Sequence, residues 1–196
     1  MFVIRFALLS SLFYALNVSM IPLIYTLEVS AFLFLFIRFG TTFFTSLVIT
    51  KSLFSISKIK QQKLGLWVFI LSFLFGIQSW LYVEAVKYMS VGLASVVLFT
   101  YPLITYLIVS LNSRRKLDVS TILMFLLAII GIAAISQSED GFYTMAIGIV
   151  LAILSAISYS LILIITPKIS ALKNWEIVKY TTLIPALGFL YLFLNE

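Results

Sequence analysis

Apolar residues in this chain come in seven runs, separated by short polar breaks. The runs are Phe2–Ile24, Ala31–Thr50, Leu66–Tyr88, Val91–Leu111, Val119–Ser136, Met145–Ile165 and Ile177–Leu194. Each holds about 20 residues, enough to cross a hydrocarbon core of about 30 Å as a helix. The third and fourth runs are joined only by the break at Lys87–Ser90. That leaves no room for a soluble loop and predicts an antiparallel helical hairpin. The pattern predicts an all-α integral membrane protein of about seven transmembrane helices.

Charges in the breaks predict orientation. The second and third runs are separated by Lys51, Lys58, Lys60 and Lys63 with no acid, the fourth and fifth by Arg114, Arg115 and Lys116, and the sixth and seventh by Lys168 and Lys173. The alternate breaks carry Glu28, Glu139, Asp140 and a single lysine, Lys87. Basic loops stay in the cytoplasm, so the N-terminus is expected there and the seventh run is expected to end outside. The start, MFVIRFALLSSLFYALN, has an early Arg and an apolar run like a signal peptide. The apolar run continues past Asn17 without a small-residue cleavage site, so it reads as the first span.

The chain also repeats itself. ALLSSLFYAL at 7–16 and AILSAISYSL at 152–161 share Ala7/Ala152, Leu9/Leu154, Ser10/Ser155, Tyr14/Tyr159 and Leu16/Leu161 at an offset of 145, and Pro22/Pro167 follows at the same offset. Ala7, Ser11 and Ala15 form a small-residue ridge, matched by Gly148, Ala152, Ala156 and Ser160. Such ridges let membrane helices approach closely. This one reads either as ordinary packing or as part of a symmetric or oligomeric contact, a homodimer among them. Five spans separate the copies, so the second would be inverted in the membrane, as in many secondary transporters. Residues 1–140 are expected to form one five-helix repeat, and 141–196 the first two helices of an inverted second repeat. Two full copies would make about 290 residues, so the symmetry implies three further helices.

Composition narrows the chemistry. The chain is 63% hydrophobic and 10% charged, with no His and no Cys. Disulfides, thiol nucleophiles, imidazole bases and His/Cys metal sites are excluded. No Gly-x-Ser-x-Gly turn and no paired intramembrane acids occur, so an enzyme is not expected. No cofactor, metal or nucleic-acid partner is expected either, because the net charge of +6 resides in short loops between spans. The expected partners are the lipid bilayer and a small-molecule substrate.

Several polar residues lie inside the runs. Arg38 sits near the middle of the second, where an Arg costs on the order of 2.5–3.5 kcal/mol on insertion scales and usually faces a bundle interior or watery cavity. It reads either as a ligand for an anionic substrate group or as a structural tie between helices. Gln78 and Tyr82 lie about 40° apart on one face of the third run, reading as cavity lining or as interhelical hydrogen bonds. Glu84 lies three residues before Lys87, on the same helix face. The two read as an interfacial ion pair, or Glu84 as a coupling group or a distant counter-charge for Arg38. Tyr101 and Pro102 are central to the fourth run, where Pro removes a backbone donor and kinks the helix; Pro102 reads as a hinge or a packing irregularity. Tyr14 and Asn17 complete a polar ring in the first run, or pack.

These residues together resemble a known family. The central Arg in FIRFG, the run EAVKYMSVGLASVVLFTYPLITYLI at 84–106, the basic turn NSRRKLD at 112–118 and GIAAIS at 131–136 resemble the EamA-like branch of the drug/metabolite transporter superfamily. Ala85, Tyr88, Ser90, Gly92, Ala94 and Pro102 occupy the places of that family's Ala-Leu-x-Tyr-x-Ser-x-Gly-x-Ala segment and its fourth-helix Pro. Two departures stand out: the absence of the last three helices, and the basic run Arg114–Lys116 where an acid is common. The resemblance implies ten helices with both termini in the cytoplasm and an alternating-access cavity in the inner (cytoplasmic) membrane. It implies transport, often efflux, of amino acids, other metabolites or drugs. The main expectation is a secondary transporter of small polar metabolites, with Arg38, Asn17, Tyr14, Gln78, Tyr82 and Tyr101 lining the cavity. The alternative expectation is a non-transporting fragment or partner subunit completed by complementary C-terminal helices.

Overall fold

A computed structural model describes residues 2–50, 64–112 and 142–196, together with 119–120, 123–124, 126–127 and 130–131. The fold is all-helical. The elements are α1 (Phe2–Ser19), α2 (Ile21–Thr26), α3 (Ala31–Thr50), α4 (Gly65–Val86), α5 (Val91–Leu98), α6 (Tyr101–Asn112), α7 (Phe142–Ile165), a 3-10 turn (Thr166–Ile169) and α8 (Asn174–Leu194). Five stretches are long and apolar enough to cross a membrane: Ala31–Thr50, Gly65–Val86, Val91–Asn112, Met145–Ile169 and Asn174–Leu194. They coincide with the second, third, fourth, sixth and seventh runs. The described residues between 119 and 131 are helical, but most of the expected fifth span lies outside the described residues. So do the repeat boundary near 140 and the loops carrying Lys51–Lys63, Arg114–Lys116 and Glu139–Asp140.

Two spans read as continuous are broken, each beside a proline. The first stops at Ser19 and resumes at Ile21, with Pro22 in the first turn of α2. The fourth stops at Leu98 and resumes at Tyr101, with Pro102 in the first turn of α6. A proline there is costless, because the first-turn N–H groups have no helical partner. The helical pattern is interrupted at Phe99–Thr100, beside Pro102, within the single apolar stretch Val91–Asn112. Thr100 covers the break: its backbone N–H and its hydroxyl donate to the Val97 carbonyl at 3.1 and 2.7 Å. Pro102 itself is exposed on the outer surface of the bundle.

Packing places α8 against α3 and α4, and α7 against α4, α5 and α6. The ridge of α7 is consumed in this contact: Gly148, Ala152, Ala156 and Ser160 are all buried. A Cβ on Gly148 would lie 3.0 Å from Met89 Cγ, 3.2 Å from the Ala85 carbonyl oxygen and 3.2 Å from Tyr88 Cβ. The ridge is thus an intrachain seam, and it does not offer a face to a second copy. Gly76 of α4 faces Pro185 of α8 with more room, the position of its absent Cβ lying 3.5 Å from Pro185 Cβ, an ordinary van der Waals distance. Large apolar side chains on the opposite faces, such as Phe44, Val48, Leu66, Phe69 and Phe73, are exposed, as expected of helices solvated by lipid.

The bundle has two chemically distinct ends. At one, Glu28, Ser30, Glu84, Lys87 and Glu196 line a shared depression, the Ser30 hydroxyl bonds to the Glu196 carboxylate, and the Tyr25 hydroxyl donates to the Val83 carbonyl at 2.8 Å. At the other, Leu64, Val68, Ile169, Leu172 and Tyr180 form an apolar cluster. There Lys168 Nζ lies 3.8 Å from the centre of the Trp67 ring, a cation–π contact. The alternation of helix direction read from the polar breaks is therefore present in the folded chain.

Candidate functional site

Between the ends lies a cavity of about 290 Å³. Five helices contribute to it: α1 through Tyr14 and Val18, α3 through Arg38, Phe39 and Thr42, α4 through Phe75, Gln78, Ser79 and Tyr82, α7 through Tyr159, and α8 through Val178, Thr181 and Thr182. The spacing explains the convergence. Arg38 and Thr42 are one turn apart on α3, as are Gln78 and Tyr82 on α4 and Val178 and Thr182 on α8, so each pair shares a helix face. Small residues permit the close approach, with Ser79, Ser155, Ser158 and Ser160 all buried around the crossing.

Hydrogen bonds divide the lining into occupied and available groups. Gln78 is clamped: its side-chain N–H donates to Ser155 Oγ at 3.3 Å, and its side-chain oxygen accepts from Ser79 Oγ at 3.3 Å. Ser155 in turn donates to the Gln78 backbone carbonyl at 2.9 Å. Tyr82 and Ser95 hydroxyls lie 2.8 Å apart, and since Ser95 donates to the Val91 carbonyl at 2.8 Å, Tyr82 is the donor of the pair. Thr42, Thr181 and Thr182 donate to the carbonyls of Arg38, Ile177 and Val178, each at 2.8 Å. These hydroxyls retain only acceptor capacity.

Arg38 is half-buried, and its guanidinium lies within electrostatic reach of the Tyr14 and Tyr82 hydroxyls. It is the one charged side chain among the described residues that line the cavity. Tyr159 stands beside Tyr14 and Tyr101, with the Tyr101 and Tyr159 rings 4.6 Å apart at 76°, the edge-to-face arrangement aromatic pairs favour. Ser160, next in sequence, donates to the Tyr101 carbonyl at 3.0 Å. That bond pins α7 to the start of α6, just past the chain break.

Of the residues predicted from sequence, Arg38, Tyr14, Gln78 and Tyr82 come together on this cavity. Tyr101 backs it through Tyr159. Asn17 is not in the lining; its side-chain oxygen is buried with no partner among the described residues. Glu84 is elsewhere, in the depression at the acidic end with Glu28, Lys87 and Glu196, so it does not face Arg38. No ion pair joins it to Lys87, whose Nζ lies 5.9 Å from the Tyr88 ring centre. Sequence reasoning missed Tyr159, Thr42, Ser79, Thr181 and Thr182. Tyr159 had a signal, its identity with Tyr14 in the internal repeat; the threonines had none. Lys179 was also missed. It is buried in α8, and its Nζ donates to Thr50 Oγ1 at 3.5 Å. Among the described residues no group of three or more His, Cys, Asp or Glu side chains is placed to hold a metal ion.

Arg38 thus faces a largely apolar, aromatic-walled cavity inside a helical bundle, and charged residues within apolar spans usually face a bundle interior or cavity of this kind. Residues 1–137 match the EamA-like transporter family. The chain belongs to the EamA-like transporter family. It is a multi-pass membrane protein, and the family's members are membrane transporters of small molecules. None of the curated proteins and none of the solved structures compared matches the chain. The matched segment carries Tyr14, Arg38, Gln78 and Tyr82, while Tyr159, Thr181 and Thr182 come from helices beyond it.

Proposed function

We propose that this EamA-like chain is a secondary transporter that exports small polar metabolites bearing a carboxylate or similar anionic group across the cytoplasmic membrane. The observation that carries this reading is Arg38: a guanidinium near mid-span, opening on a cavity whose other lining groups are neutral. An anionic group entering that cavity offsets the cost of the buried charge. Tyr14 and Tyr82 border the same position, and Gln78 holds α4 to α7 behind it.

Alternating access follows from the way the cavity is built. Helices α1, α3 and α4 belong to the proposed first repeat (1–140), and α7 and α8 to the proposed second (141–196). Rocking of one set against the other opens the site to each side in turn. A cytoplasmic N-terminus fits this reading, because the basic breaks then lie inside and the end carrying Glu28, Glu84 and Glu196 lies outside. Export, as the direction, rests on the family resemblance.

Arg38→Ala tests the proposal. Expected is loss of flux in proteoliposomes and in cells, with membrane insertion and expression unchanged. Wild-type flux by Arg38→Ala would overturn it.

A further inference from the structure

We infer that the substrate is an aromatic monocarboxylate anion rather than an amino acid zwitterion. This rests on the transport reading above and narrows it.

The sorting of donors and acceptors around Arg38 carries the inference. Arg38 supplies the positive charge. Tyr14 and Tyr159 supply two hydroxyls that make no hydrogen bond to another described residue, so each can donate to a carboxylate. The remaining hydroxyls have spent their protons on the helix backbone, on Ser95 or, for Ser79, on the Gln78 side-chain oxygen. A carboxylate therefore meets a charge-assisted set of donors. An α-ammonium carried alongside it would be desolvated near Arg38 and would meet neutral acceptors only, since no carboxylate is among the described lining residues. Like charges brought together in one cavity of about 290 Å³ weaken binding, by about tenfold or more.

The walls select the rest of the molecule. Phe39 and Phe75 face the cavity beside Tyr14, Tyr82 and Tyr159, so flat π-surfaces surround the single cation. An apolar cavity of about 150 Å³ already admits benzene. The 290 Å³ here accommodates a ring, a short linker and a carboxylate. Amino acids, one of the classes the family resemblance implies, fit the walls when aromatic but not the charge.

Three probes separate the terms: 3-phenylpropionate, phenylalanine (the same skeleton with an α-ammonium) and butyrate (a carboxylate without the ring). Each is applied to the purified full chain, reading ligand-induced thermal stabilisation, and to proteoliposomes, reading counterflow. Expected is stabilisation and flux with 3-phenylpropionate, with phenylalanine and butyrate each weaker by at least about tenfold. Tyr159→Phe should weaken 3-phenylpropionate while leaving the unliganded melting temperature unchanged. Phenylalanine or butyrate performing as well as 3-phenylpropionate would overturn the inference and leave the transport reading standing. Stabilisation by 3-phenylpropionate without flux of any probe would sustain the recognition and overturn the transport reading. Absence of 3-phenylpropionate binding to the folded wild-type chain would overturn the inference directly.

Discussion

Tyr14 and Tyr159, 145 positions apart and in matching places of the internal repeat, line the same cavity from helices α1 and α7. Tyr159 lies within electrostatic reach of Tyr14, and Tyr14 within reach of Arg38. A residue duplicated in sequence has thus become two walls of one site. Arg38 is not duplicated: the offset of 145 carries position 38 to position 183, a leucine. The charge therefore breaks the symmetry that the tyrosines keep, and the cavity has one cationic side.

The tyrosine pair should act as a unit. Tyr14→Phe and Tyr159→Phe each remove one hydroxyl and leave the ring packing intact. Each is expected to lower the apparent affinity for an anionic substrate by about tenfold, the worth of one hydrogen bond to a charged group. The double variant should cost less than the product of the two, because the hydroxyls serve one bound group. Substrate-concentration series of flux on the three variants check this; strictly multiplicative losses would mean the hydroxyls act at separate places.

Gln78 should matter for holding helices together. Its amide and backbone carbonyl bond to Ser155 across the α4–α7 contact. Interhelical hydrogen bonds in membranes contribute about 0.6 kcal/mol on average, with about 1.7 as an upper value. Gln78→Ala and Ser155→Ala are each expected to destabilise by that order, and the double variant by no more than the larger single effect. Thermal unfolding of the detergent-purified variants measures it.

How much of this was legible beforehand divides along physical lines. Hydropathy marked the five described spans, because apolar length is a property of the sequence alone. The irregularity beside Pro102 was visible too, but the break at Met20 was not, because a proline signals either a bend or a new helix start, and neighbouring turns decide which. Arg38 and the Gln78–Tyr82 face were visible as polar groups at mid-span. Thr42, Thr181 and Thr182 were invisible, since a threonine that bonds its own helix looks the same on any face until tertiary packing assigns one. Glu84 was misleading for a related reason: proximity to Lys87 along the helix suggested a pair that the side chains do not make.

Gly148 tests the seam between α7 and the α4–α5 turn. An added Cβ would press on the Ala85 carbonyl, a backbone atom that cannot swing aside, as well as on Met89. Gly148→Ala is therefore expected to destabilise despite alanine's better helix propensity, and Gly148→Leu by about 1–3 kcal/mol or more, the cost of overpacking. Gly92→Ala is the contrast, since nothing lies within 4 Å of its Cβ position. There the helix gains up to about 1 kcal/mol from propensity. Melting temperatures moving in opposite directions for the two alanine variants would establish the seam, and a parallel rise would refute it.

Glu84 tests whether the acidic end takes part in coupling. The carboxylate shares its depression with Glu28, Lys87 and Glu196 rather than with Arg38, and helix α4 carries Tyr82 and Gln78 into the central cavity while turning Glu84 away from it. A group so placed does not sense occupancy of the cavity through direct contact. Glu84→Gln removes its charge and keeps its shape. Expected are flux within about twofold of wild type, the usual range for a substitution away from a buried network, and an unchanged pH profile of transport. Loss of the pH dependence in Glu84→Gln, with flux retained at low pH, would instead make this carboxylate the proton-carrying group and link the acidic depression to the Arg38 site through movement of α4.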